Sequence, residues 1–243
     1  MADPAGVAVV TGGSSGIGEA SAHRLARDGY RIAILDVNAT AAEKVAAAIG
    51  NGAHAYTCDV ADAAAVDATA AAIEKDMGAP HVLVTCAGLI PNAESILDMD
   101  MAAHDRMWQV NYNGTLHCCR SFARRMIPGK RGAIVTIGSI NSAQPLPIPA
   151  YNMGKAAVAR LTQLLAVELG RHNIRVNSVG PTYVMTPSAL RILQLAAIEP
   201  FRGPAGPPLP AQAGRGIIAT THPHPPAPAR PSGACARSRA PCL

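Results

Sequence analysis

From Val7 to Val179, short runs of β-branched and apolar residues alternate with longer alanine-rich stretches in which apolar positions recur every three or four residues. Strand and helix in regular succession are the pattern of βαβ units around a parallel sheet. Six strands are expected, at Val7–Thr11, Arg31–Asp36, Ala53–Cys58, His81–Cys86, Ala133–Gly138 and Arg175–Val179. Each is short and almost continuously apolar, as strands covered by helices on both faces must be. Helices are expected near Gly18–Asp28, Thr40–Ile49, Ala61–Met77, Met101–Met126 and Pro149–His172. In the last, Ala157, Leu161, Leu164, Leu165 and Glu168 set an apolar stripe beside a polar one. The last two are the longest, and both can pack against the sheet and against a second subunit.

Beyond a short helical run at Ser188–Ile198 the periodicity stops, and 11 of the 20 prolines lie between Pro200 and Pro241. Runs such as Gly203-Pro204-Ala205-Gly206-Pro207-Pro208 cannot be helix interior or central strand, because proline lacks the N–H donor both require. The chain therefore divides into a catalytic domain at 1–199 and a Pro/Arg/Gly-rich tail at 200–243, expected to be disordered for want of large apolar side chains. The division also explains the net charge of +5: residues 1–199 hold 16 basic and 16 acidic side chains, and Arg202, Arg215, Arg230, Arg237 and Arg239 face no acid. A tail whose only aromatic is Phe201 offers no stacking platform for nucleic acid, so no nucleic-acid partner is expected. His222 and His224 in that tail are read as incidental. No apolar stretch approaches the length of a membrane span, and no secretory signal is read at the N-terminus. Cys58, Cys86, Cys118 and Cys119 show no CxxC spacing, which suggests reduced thiols, a cytoplasmic setting and no metal site.

Candidate chemistry begins where the first strand runs into Thr11-Gly12-Gly13-Ser14-Ser15-Gly16-Ile17-Gly18 and then a helix. Glycines there permit a tight turn and close approach to a pyrophosphate, whose charge meets the helix N-terminus. A glycine cluster alone is a weak signal; Asp36, ending the second strand 18 residues past Gly18, strengthens it. A carboxylate there accepts both ribose hydroxyls of an adenosine and repels a 2′-phosphate, which favours NAD over NADP. No cation stands at Ser15 or Val37 to hold such a phosphate. Asp59, ending the third strand, is either an acceptor for the adenine amino group or a helix cap.

A second constellation is Ser139, Tyr151 and Lys155. Tyr151 and Lys155 stand four apart on one helix, hence on one face. An ammonium about 4 Å from the phenol stabilises the phenolate by roughly 4 kcal/mol at an effective dielectric near 20, enough to lower the tyrosine pKa by about three units. Ser139 follows a strand in Ile137-Gly138-Ser139, at the carboxyl edge where parallel sheets bind ligands.

TGGSSGIG at 11–18, Ser139 and YNMGK at 151–155 together resemble the classical short-chain dehydrogenase/reductase family over about residues 6–190. The resemblance implies a Rossmann-like, doubly wound α/β fold and hydride transfer between a nicotinamide and a secondary alcohol or ketone of polyol, hydroxy acid or 3-oxoacyl type. It implies that Tyr151 exchanges the proton, Ser139 positions the substrate oxygen, Lys155 lowers the tyrosine pKa and holds the nicotinamide ribose, and Asn111 keeps a helix kink and a water in a proton relay. Cofactor contacts are implied from Gly12, Ser14, Ser15, Gly16, Ile17 and Gly18, from Asp36, Asp59 and Val60, from Ala87 and Gly88, from Tyr151 and Lys155, and from Pro181, Val184 and Thr186. A homo-oligomer through the two long helices is also implied.

Three departures stand out. Thr85-Cys86-Ala87-Gly88 replaces the family's Asn-Asn-Ala-Gly or Asn-Ser-Ala-Gly, leaving one hydroxyl at Thr85 to do an amide's hydrogen bonding. Pro181-Thr182 replaces Pro-Gly, so Thr182 is strained if that position needs positive φ. Finally, the Pro/Arg-rich tail replaces the last helix and the seventh strand, leaving the sixth as an open edge. A reading-frame shift near residues 190–203 is hypothesised from that composition break; resequencing the coding DNA and finding no frame that restores the family ending would count against it. The alternative function is then a shifted product that keeps the motifs but is inactive or poorly folded.

Overall fold

A computed structural model describes residues 5–90, 94–144, 146–182, 184, 186 and 218–220, the last three by backbone alone. Six parallel strands form the sheet: β1 Val7–Thr11, β2 Arg31–Asp36, β3 His54–Thr57, β4 Pro80–Thr85, β5 Gly132–Ile137 and β6 Ile174–Gly180. Their order is β3-β2-β1-β4-β5-β6, so the chain reverses direction across the sheet between β1 and β4 and opens a crevice at the strands' carboxyl ends. Helices α1 Gly16–Arg27, α2 Ala39–Ile49, α3 Ala63–Met77, α4 Met101–Trp108, α5 Gly114–Met126 and α6 Pro149–Gly170 supply the crossovers.

The continuous apolar strands serve two cores by simple alternation. Val7 and Val9 of β1 point to one face, with Leu35, Leu83, Ile134 and Ile174, and meet α3 and α5 through Ile73, Phe122 and Met126. Ala8 and Val10 point to the other, with Ile32, Ile34, Val82 and Val84, and meet Ala22 of α1 and Val45 of α2. Asn38, Asp62 and Asp100 cap α2, α3 and α4 by accepting hydrogen bonds from first-turn N–H groups, which fixes where each helix starts.

Two expectations are corrected. The single helix expected over Met101–Met126 is interrupted by a π-helical turn at Gln109–Asn113. Local side chains support the turn: the Thr115 hydroxyl donates to the Asn111 carbonyl at 2.8 Å, and the Asn113 amide donates to Gln109 Oε1 at 2.7 Å. The sheet also has a seventh strand, where none was expected. This strand, β7 Ile218–Thr220, pairs antiparallel with Ser178–Gly180 of β6. It comes from the one β-branched run of the tail, Ile217-Ile218-Ala219-Thr220, between Gly216 and Pro223. The helix expected at Ser188–Ile198 and the disorder expected over the rest of 200–243 lie outside the described residues.

Candidate active site

β1 hands the chain to α1 through a turn that only glycine fits at two points. Gly12 has φ +62°, and a Cβ there would lie 2.7 Å from the Ala87 backbone; a Cβ on Gly18 would lie 2.1 Å from the Gly12 carbonyl oxygen. Loop, helix and the segment after β4 are thus pressed together. No side chain caps α1, so its first-turn N–H groups remain available to an anion. A dinucleotide pyrophosphate fits this cradle, since Gly12 and Gly18 let the loop close onto the uncapped start of α1, and any Cβ there would push the two apart.

The loop opens on a cleft of about 570 Å³ that runs past Leu35, Asp36, Asn38, Asp59, Val60, Ala87, Gly88, Tyr151 and Lys155. Asp36 accepts the Ser14 N–H at 3.2 Å on one oxygen and the Asn38 N–H at 3.0 Å on the other, which ties β2 to the glycine loop and leaves acceptor capacity on both. Asp59 accepts the Ala61 N–H at 3.0 Å and is bridged at 2.9 Å by Arg106 of α4. Those two partners, the N–H first, hold its carboxyl below the usual carboxylate range.

Across the crevice, α6 presents Tyr151 and Lys155. Burial raises the pKa of the Tyr151 phenol above the ordinary tyrosine value and outweighs the opposing influence of the neighbouring Ser139 hydroxyl. Lys155 is buried; its ammonium donates to the Ile137 carbonyl at 2.7 Å and lies 5.6 Å from the centre of the Tyr151 ring. Burial lowers its pKa to about 8. The expected mechanism of a lysine about 4 Å away pulling the phenol towards neutrality is therefore corrected for the free protein. Lys155 turns to the end of β5, and desolvation acts on both groups in the direction that disfavours charge. The Ser142 hydroxyl donates to the Lys155 carbonyl at 3.1 Å, and Ser139 Oγ accepts from the Asn141 N–H, so the turn after β5 braces both residues.

Most of the expected cofactor residues line this cleft: Gly12, Ser14, Ser15, Gly16, Ile17, Gly18, Asp36, Asp59, Val60, Ala87, Gly88, Tyr151, Lys155 and Thr186. Four expected residues are not on its wall. Ser139 stands beside Tyr151, at the end of β5. Asn111 is fully buried, and its amide is committed to both polar groups of the Leu89 backbone, at 2.7 and 2.9 Å. The kink expected at Asn111 is the π turn. Pro181 accepts the Ile140 N–H at 3.2 Å and so supports the serine turn. Val184 lies on a neighbouring apolar groove with Val82, Val84, Val135 and Val179, because the chain turns back through a bond from the Thr186 N–H to its carbonyl.

The departures resolve as well. Thr182 is not among the described non-glycine residues with positive φ, so the expected strain is absent. Thr85 is buried with its hydroxyl unpartnered, and the hydrogen bonding expected of it does not occur. Burial pushes the Cys86 thiol up to about 12, and Cys119 beside fully buried Cys118 likewise. Among the described residues no three His, Cys, Asp or Glu side chains cluster to hold a metal. Arg106, the Ile137 carbonyl and the Leu89 backbone were not anticipated. Arg106 carried a weak signal, a cation five residues before Asn111; the two backbone partners carried none.

A glycine cradle, an acidic side chain at the end of β2 and a tyrosine, serine and lysine at the β5 edge define a dinucleotide-dependent oxidoreductase. The profile of short chain dehydrogenases matches residues 6–194, and the chain belongs to that family, whose members act on alcohols. It is 40% identical to galactitol 2-dehydrogenase of Rhizobium johnstonii over 191 residues, covering 76% of this chain and 74% of the relative. It is 39% identical to D-threitol dehydrogenase of Mycolicibacterium smegmatis, covering 74% and 70%. Its fold superposes on NAD+-bound xylitol dehydrogenase with a TM-score of 0.71 at 33% identity, covering 75% and 72%.

Proposed function

We propose that this chain is an NAD-dependent dehydrogenase interconverting a secondary alcohol, foremost a polyol, and its ketone. The observation that carries this reading is that Tyr151, with Ser139 beside it, and buried Lys155 line the same cleft as the glycine loop. The names of the galactitol, threitol and xylitol enzymes support a polyol. Bound nicotinamide supplies the hydride acceptor or donor. Tyr151 moves the substrate proton, Ser139 orients the substrate oxygen, Lys155 binds the cofactor's ribose, and Asn111 fixes the loop at Leu89 that borders the cleft. Asp36 favours NAD by accepting ribose hydroxyls and repelling a 2′-phosphate.

The protein is further read as cytoplasmic, without nucleic-acid or membrane partners, and as a homo-oligomer through the two long helical segments, α4–α5 and α6. Leu164 and Val167 of α6 are exposed at 61% and 85%, which favours a covered face there. Among the described residues no helix is long and apolar enough to cross a membrane. Calorimetric binding of NAD and NADP, followed by a screen of C4 to C6 polyols, tests the reading. NAD is expected to bind at least about tenfold tighter; parity overturns the role of Asp36. The second reading, a chain that keeps the motifs without turnover, is favoured by the brevity of β7, which pairs only three residues of β6. Dinucleotide binding with no turnover across the screen supports it.

A further inference from the structure

The proposed reaction makes no use of Arg106. It stands on α4, five residues before Asn111, and its side chain crosses to Asp59 beyond β3, two strands from β1 on the side opposite Tyr151 and Lys155. Asp59 and Arg106 are 40% and 52% exposed, and an ion pair that open to solvent contributes little to folding. Yet both residues form the cleft wall beside Cys58 and Val60, past the ribose-binding Asp36. The geometry of the carboxylate is fixed from two sides: Oδ1 accepts the Ala61 N–H at 3.0 Å and Oδ2 accepts Arg106 Nη2 at 2.9 Å. About four acceptor positions belong to a carboxylate, so roughly half remain for a donor in the cleft.

We infer that Arg106 is a positioning residue for base recognition: by holding the Asp59 carboxylate at the end of the cleft, it makes the site select a purine bearing an amino group at carbon 6. This rests on the dinucleotide reading above and adds a determinant to it. An exocyclic amino group donates to the fixed carboxylate, whereas a 6-oxo group presents a lone pair to a negative charge and is rejected. Without Arg106 the carboxylate keeps only the Ala61 bond, rotates about its side-chain torsions and reads the edge poorly.

The test is calorimetric titration of the full chain with NAD and with nicotinamide hypoxanthine dinucleotide, which carries oxygen in place of the amino group. The unaltered chain is expected to prefer NAD by about tenfold, the size of one hydrogen bond to a charged group. Arg106→Met is expected to cut that ratio to about threefold or less by weakening NAD alone, and Arg106→Lys to restore part of it. A merely structural arginine would weaken both ligands equally and leave the ratio unchanged, which overturns the inference. So does an unaltered chain that binds both equally well, with the cofactor reading left intact. Failure of the unaltered chain to bind either dinucleotide overturns both.

Discussion

The two sides of the cleft hold their charges differently. Where β1, β2 and β3 end, Asp36 and Asp59 are already fastened to backbone N–H groups, and Arg106 is already paired. Where β5 and α6 meet, Tyr151 is raised and Lys155 lowered by burial, and the lysine leans on a backbone carbonyl. One side is fastened in place before any ligand arrives; on the other, burial works against charge on both the phenol and the lysine. Binding determinants gain from fixity because little ordering remains to be done on association. A proton-transfer pair gains from a low-dielectric setting, where a newly arrived charge acts strongly.

The largest expected effect strikes the reactive side alone. Tyr151→Phe removes the hydroxyl proposed to transfer the proton, and turnover is expected to fall by about a thousandfold while NAD affinity changes little. Steady-state kinetics with calorimetric binding reads this, and undiminished turnover removes the assignment. Next, Gly18→Ala strikes the preformed side. Its Cβ, 2.1 Å from the Gly12 carbonyl oxygen, must push loop from helix at roughly 3 kcal/mol, and NAD affinity is expected to weaken by about a hundredfold.

Lys155→Met separates stability from function. At pH 7 Lys155 is protonated folded and unfolded, so the whole burial penalty is present; it is relieved as pH rises from about 8, the folded pKa, to the ordinary 10.5. The penalty is roughly 3 kcal/mol, and losing the bond to Ile137 returns about 1. Urea unfolding of the free variant is therefore expected to show about 2 kcal/mol more stability at pH 7, with the pH-dependent rise in stability between 8 and 10.5 abolished and catalysis lost. A destabilised variant contradicts the buried-charge reading. Smallest is Thr85→Val, which deletes an unpartnered buried hydroxyl at constant shape and is expected to add about 1 kcal/mol by the same method.

The preformed side was the legible one. β1 and β2 fall on the residues expected, because β-branched runs bounded by glycine and aspartate leave few alternatives, and the glycine loop and Asp36 announce themselves by spacing. The reactive residues were equally legible as a set, but not in their state. Periodicity places Tyr151 and Lys155 on one face; it says nothing of the Ile137 carbonyl that draws the lysine away, since every residue carries the same acceptor. The π turn at Gln109–Asn113 was hidden for a related reason, since one extra residue per turn leaves the flanking helical pattern in phase with itself on either side. β7 was missed because three residues are too few to signal a strand among so many prolines.

The most direct measurement is an ultraviolet titration of tyrosinate, taken as the difference between the unaltered chain and Tyr151→Phe, free and with saturating NAD+. Tyr151 is expected to ionise above the ordinary tyrosine value in the free protein, and at distinctly lower pH once the positively charged nicotinamide is in place. A phenol that already ionises near neutrality without cofactor, or whose midpoint does not move when NAD+ binds, would contradict the contrast drawn between the two sides.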